Sequence, residues 1–132
     1  MMKNSLLIVM ILFFSMSSFG QKKEKVTVYY FTATWCGPCK IFKKARKTEA
    51  MKEALSNVRL KKIDMDNDRR RLKEIYKVKS VPTFLKIGNK GKVLARIGGV
   101  TLYNIKQGDS ILDYDYMAKV MYDFVNTDIY DY

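Results

Sequence analysis

Cys36 and Cys39 are the only thiols in 132 residues, and the chain contains no histidine. Two cysteines separated by two residues can share a metal or close a disulfide. Zinc takes about four ligands, usually Cys or His. Here carboxylates would have to complete the shell, so the expectation is no metal and no cofactor. A disulfide that closes so short a ring contributes roughly 2 kcal/mol by loop closure, against nearly 5 for one closing about 100 residues. A bridge serving only as a staple would gain more by joining distant segments. The short ring suits reversible exchange, in which one thiolate attacks a substrate disulfide and the second thiol resolves the mixed disulfide.

The neighbouring residues fit that chemistry. Pro38 stands where a helix would begin, a position that tolerates proline because its missing N–H would be unpaired there. Cys36 would then sit just before the helix, against unsatisfied N–H groups and a positive dipole end that favour a thiolate. The run Trp35-Cys36-Gly37-Pro38-Cys39 follows a strand-like Val26–Thr32, and Val81-Pro82-Thr83 lies downstream.

Together these residues resemble the active-site region of the thioredoxin family. Val81-Pro82-Thr83 resembles the family's cis-proline loop, which lies beside the cysteines and docks substrate backbone. Lys61-Lys62-Ile63-Asp64-Met65-Asp66 resembles its second core strand, and Gly98-Gly99 its glycine turn. The resemblance covers about residues 25–126 and implies an α/β fold, a mixed four-stranded sheet flanked by helices in the order β-α-β-α-β-β-α. It implies Cys36 as nucleophile and Cys39 as resolving thiol. It also implies a substrate surface of Trp35, Gly37, Pro38, Val81, Pro82 and Gly98, with Lys62 supporting proton transfer. One departure stands out. The family often places a buried aspartate five residues before the tryptophan, and this chain has Tyr30. A phenol with a pKa near 10 cannot act as a carboxylate base at neutral pH, so deprotonation of Cys39 is expected to be slower, met by water or Lys62.

The elements that would position these groups can be read along the chain. Residues 1–20 have the pattern of a signal peptide: Lys3, an unbroken apolar run Leu6–Phe14, then small and polar residues with a cut expected between Gly20 and Gln21. The apolar run is short of the ~20 residues needed to span a bilayer, so a periplasmic or secreted protein is expected, with a retained membrane anchor as the alternative. Residues 21–132 then form a single domain. Too few residues precede Trp35 for the extra first strand and helix of many thioredoxins, which makes this a minimal core.

Val26–Thr32 is nearly continuously apolar, as a strand buried on both faces is. One helix is expected over about Pro38–Leu55, facing inward with Ile41, Phe42, Ala45, Met51, Ala54 and Leu55. A strand over Val58–Met65 shifts its apolar residues from even to odd positions, which leaves a bulge or a register error open. A helix over Asp68–Tyr76 would turn Leu72, Ile75 and Tyr76 inward, with Asp68 at its start. Thr83–Ile87 and Lys92–Ile97 flank Gly88-Asn89-Lys90-Gly91, a hairpin signature. Residues 99–112 read as an insertion, and a closing helix over Asp113–Val125 carries a methionine-rich core face.

The net charge of +12 can favour anionic partners, but the lysines are spread along the chain without an aromatic-rich binding motif. A solvated basic surface is expected, without nucleic-acid binding. Three functions stay open: an exported reductase of protein disulfides, fed by a membrane or soluble electron donor and working as a monomer; an oxidase or isomerase running the same residues the other way; and a redox-idle binding or chaperone-like module.

Overall fold

The computed structural model describes residues 24–67, 70–103 and 113–127. The leader-like segment and Asp68 therefore lie outside the described residues. The sheet has four strands, β1 (Val26–Thr32), β2 (Val58–Asp64), β3 (Thr83–Ile87) and β4 (Val93–Gly98), in the order β2-β1-β3-β4. β1 pairs parallel with β2 and antiparallel with β3, and β3 pairs antiparallel with β4. The sheet is thus mixed, with β1 and β3 at its centre. The apolar content of β1 follows from that position. Val28 and Tyr30 point to one face, into a core with Phe42, Phe84, Met117, Met121 and Phe124, while Phe31 points to the other, with Ile63, Val78 and Leu85.

The even-to-odd shift in β2 is not a bulge. Its parallel register against β1 runs unbroken from Val58 to Asp64. Val58 and Leu60 pack on one core and Ile63 enters the other, so the shift records a strand that packs on both faces. A register shift does occur between Lys86 and Ile87, where β3 meets β4. The hairpin expected there forms through a short 3-10 turn, Asn89–Gly91, with Lys90 and Gly91 both at positive φ.

The long helix expected over Pro38–Leu55 is two helices, α1 (Gly37–Ala45) and α2 (Glu49–Ala54). Thr48 makes the break. Its hydroxyl donates to the Ala45 carbonyl at 2.7 Å and accepts from the Met51 amide at 3.3 Å, capping α2. The break also resolves a spacing problem. Ala45 and Met51 are six residues apart, a gap no single helical face would bridge, yet both are fully buried.

Among the described residues α3 spans Arg70–Ile75, and the turn that follows it carries Lys77 at φ 52°. Leu72 and Tyr76 pack inward, with the Tyr76 ring edge-on to Tyr29. Ile75, expected inside, is 59% exposed; Leu72 and Tyr76, four residues apart, supply the stripe that faces inward. After β4 the chain forms α4 (Gly99–Tyr103), then, beyond residues outside the described set, α5 (Tyr114–Asn126). Asp113 caps α5 through its carboxylate, which accepts from the Asp115 and Tyr116 amides at 3.0 Å. Met117 and Met121 are buried in the core. Among the described residues no helix is long and apolar enough to cross a membrane.

Candidate active site

The parallel β1–β2 pair ends with Thr32 opposite Asp64, and the Met65 amide extends the ladder by donating to the Thr32 carbonyl at 2.8 Å. β1 then leads through Ala33, Thr34 and Trp35 into α1. Cys36 is the cap of that helix: its backbone is extended, with φ −78° and ψ 108°, and its Sγ accepts the Cys39 amide at 3.1 Å. Cys36 and Cys39 are joined as a disulfide. Both are buried, in a cluster with Ala33 and with Met65 and Val81 packed against it. Pro38 lies in the first helical turn, as its missing N–H and fixed φ favour. A thiolate at Cys36 would sit at the positive end of the helix dipole with an amide N–H already directed at it, two effects that lower a thiol pKa.

The Val81–Pro82 bond is cis. Thr83 steadies the bend by donating its hydroxyl to the Ser80 carbonyl at 2.7 Å. The Pro82 carbonyl accepts the Gly99 amide at 3.1 Å. Gly98 leaves ordinary room, a Cβ there meeting the Pro82 carbonyl oxygen only at 4.0 Å; the tight position is Gly99, where a Cβ would stand 3.0 Å from Pro82 Cδ and 3.2 Å from the Tyr103 ring.

Trp35 is 71% exposed, yet its indole N–H donates to Asp66 at 2.9 Å. The other oxygen of Asp66 accepts the Thr34 amide at 3.1 Å and the Thr34 hydroxyl at 2.9 Å. These bonds, those of Thr34 first and that of Trp35 after, hold the carboxyl below its ordinary pKa. Asp66 was not singled out from sequence. The signal was present in the register: two residues beyond the Thr32–Asp64 pair, Thr34 and Asp66 remain opposite one another.

Behind Cys39 lies a cavity of about 300 Å³ lined by Tyr30, Thr32, Lys40, Phe42, Lys43, Arg46 and Lys62. Lys62 lines the same cavity as Cys39 and stands opposite Tyr30 in the β1–β2 register. Among the described residues no carboxylate lines this cavity. Tyr30 stacks on Phe84 with ring centroids 4.9 Å apart, and its hydroxyl donates to Thr32 Oγ1 at 3.2 Å and, more loosely, towards the Cys39 carbonyl at 3.5 Å. Burial pushes its phenol above the usual value, which removes it further from service as a base. Of the expected site residues, Val81 packs against the disulfide, Lys62 lines the cavity that Cys39 also lines, and Gly98 stands by the Pro82 carbonyl. The unexpected members are Asp66, Gly99 and Tyr103.

A cap cysteine disulfide-bonded within the first helical turn, beside a cis-proline loop, is matched by the family comparison: the Thioredoxin family model matches residues 14–108. The chain belongs to the thioredoxin family. It is 41% identical over 75 residues to Thioredoxin-1 of Drosophila yakuba, covering 57% of this chain and 68% of that protein. It is 37% identical over 83 residues to chloroplastic Thioredoxin F of Oryza sativa subsp. japonica, covering 63% of this chain and 43% of that one. Among solved structures, the disulphide isomerase of Xylella fastidiosa Temecula1 superposes with a TM-score of 0.55 at 23% identity, over 74% of this chain and 79% of that one; this likeness bears on the fold. Membership of the thioredoxin family and the bonded Cys36–Cys39 pair support thiol–disulfide oxidoreductase chemistry at this site.

Proposed function

We propose that the protein is an exported thiol–disulfide oxidoreductase that reduces disulfides in other proteins. The observation that carries this reading is Cys36 Sγ at the N-terminus of α1, accepting the Cys39 amide beside the cis Val81–Pro82 bond. In the reduced protein the Cys36 thiolate attacks one sulfur of a substrate disulfide. A bond forms between Cys36 and substrate, and the first substrate thiolate leaves. Cys39 then loses its proton and attacks Cys36 Sγ; the mixed disulfide breaks, the second substrate thiolate leaves, and the internal disulfide closes. Two electrons pass to the substrate, and a membrane or soluble reductant restores them.

Trp35, Gly37, Pro38, Val81, Pro82 and Gly98 form the docking surface, with Lys62 supporting proton loss at Cys39. The protein works as a monomer and without nucleic acid. Export rests on the leader-like residues 1–20, and the mass of the protein recovered from the producing cell tests it: a chain beginning at Gln21 is expected, and a full-length chain would mean a retained leader.

The opposite direction, oxidase or isomerase, is favoured by one observation. The cations around Cys39 stabilise thiolate over thiol, which makes the disulfide easier to reduce. The reduction potential of the Cys36–Cys39 pair, from equilibration with glutathione or dithiothreitol buffers, decides. A value near about −250 mV or lower is expected of the reductase, and one above about −180 mV would reverse the direction. A Cys36→Ser variant that retained full biological function would instead mean a binding module.

A further inference from the structure

Tyr103 lies within residues 99–112, which read as an insertion in the sequence, and the cysteine reading leaves it without a role. It is the last residue of α4, only 8% exposed, with its ring beside Gly99 and the cis-proline. Its hydroxyl donates to the Pro38 carbonyl, across 65 positions of sequence. That carbonyl belongs to the same peptide unit as the Cys39 amide, and the Cys39 amide donates to Cys36 Sγ at 3.1 Å. The three groups form one chain of hydrogen bonds: Tyr103 hydroxyl to peptide 38–39 to Cys36 sulfur. A hydrogen bond accepted at a peptide oxygen draws electron density from its nitrogen and makes the N–H a better donor, so each bond in such a chain strengthens the next.

We propose that Tyr103 is a positioning residue for the nucleophile: through peptide 38–39 it strengthens the amide that holds the Cys36 thiolate, lowering the Cys36 pKa. The proposal rests on the reading of Cys36 as the attacking thiol. The phenol is a dependable donor, since burial first, and the facing Tyr30 second, push its own pKa well above the usual value. Tyr30 supplies the contrast. Its hydroxyl faces the Cys39 carbonyl, whose peptide unit ends in the Lys40 amide, and that amide donates to the Cys36 carbonyl rather than to sulfur. The charged and titratable groups around the pair are Lys40, Lys43 and Arg46 from α1 and its end, Tyr30 from β1, Lys62 from β2, Asp66 beyond β2 and Tyr103 from α4; they are common to all the variants below except at the substituted position.

The test is the pKa of Cys36 in the reduced protein, read from thiolate absorbance and from the pH dependence of alkylation. Tyr103→Phe keeps the ring and removes the donor. It is expected to raise the Cys36 pKa by about 0.2–0.5, reducing the thiolate roughly 1.5- to 3-fold below that pKa. Tyr30→Phe is expected to move it less. Replacing Tyr103 with 3-fluorotyrosine, a stronger donor of nearly the same shape, is expected to move it down, and this variant serves should Tyr103→Phe fail to fold. An unchanged Cys36 pKa in a folded Tyr103→Phe protein, or equal shifts from Tyr30→Phe and Tyr103→Phe, would overturn the proposal. Because the readout needs neither substrate nor electron donor, it stands apart from the direction of the redox reaction.

Discussion

Asp66 orders the approach to the cysteines although it touches neither. One oxygen takes the indole N–H of Trp35 and the other takes both polar groups of Thr34, so a single exposed carboxylate fixes the residue just ahead of Cys36 and the one before it. Its pKa is held down by these bonds, which sets the sign of the pH effect. The stabilising contribution is complete above the ordinary carboxylate pKa and is lost as pH falls through the lowered value. Trp35 is the sole tryptophan, so its emission reports the bond directly. Acidification from pH 5 to pH 2 is expected to release the indole and shift its emission, whereas Asp66→Asn should show the altered spectrum already at neutral pH and no acid step. An acid step of the same size in both proteins would mean that another carboxylate is responsible.

Tyr30 poses the converse question. A carboxylate at that position would face the cavity behind Cys39 as a base, and Tyr30→Asp is expected to speed reduction of a model disulfide near neutral pH. The same change removes a ring that meets Phe42 and Phe84 with centroids 4.9 Å away on each, at a cost of about 3–5 kcal/mol in stability. Both are measurable, the first by turnover against pH and the second by denaturant unfolding. A rate unchanged across pH would show that proton removal from Cys39 is not limiting.

At the scale of elements, Thr48 divides what would otherwise run as one helix. Thr48→Ala removes an acceptor for the Met51 amide and a donor to the Ala45 carbonyl, and loss of such a cap costs about 1 kcal/mol. Denaturant unfolding should show a lower midpoint with an unchanged slope; no change in midpoint would assign the break to packing alone. This element also shows where sequence reasoning reached its limit. β1 was legible because it is buried at the centre of the sheet and reads as an apolar run, and β3 and β4 because they flank a turn-forming Gly88-Asn89-Lys90-Gly91. The cysteine pair and Val81-Pro82 were legible because their chemistry is carried by residue type. The break at Thr48 was not, because threonine is tolerated inside helices and the gap between Ala45 and Met51 reads as a weak stripe rather than a stop. Asp66 and Tyr103 were hidden for another reason: each acts through a partner distant in sequence, Asp66 through Trp35 31 residues away and Tyr103 through Pro38 65 residues away. Only the register and the return of α4 reveal them.

For the molecule as a whole, charge is the property that should shape substrate choice. The chain carries a formal +12, and Lys40, Lys43, Arg46 and Lys62 ring the cavity behind the cysteines. Asp66 is the acid bonded at the neighbouring Trp35, and its charge is engaged by three donors. Such a field raises the encounter rate of anionic partners and is screened by salt, whose Debye length falls from about 30 Å at 0.01 M to about 3 Å at 1 M. Two disulfide peptides matched in sequence except for flanking Glu or Lys therefore separate the effect of charge from that of the disulfide. The acidic peptide is expected to be reduced several-fold faster at low salt, with kcat/KM falling as salt rises, and the basic peptide to move the opposite way until the two converge. Charge reversal at Lys40 and Lys43 should narrow the gap if the cations near Cys39 dominate. A gap that survives high salt would place the discrimination in contacts at Trp35, Val81 and Pro82 instead of in the field.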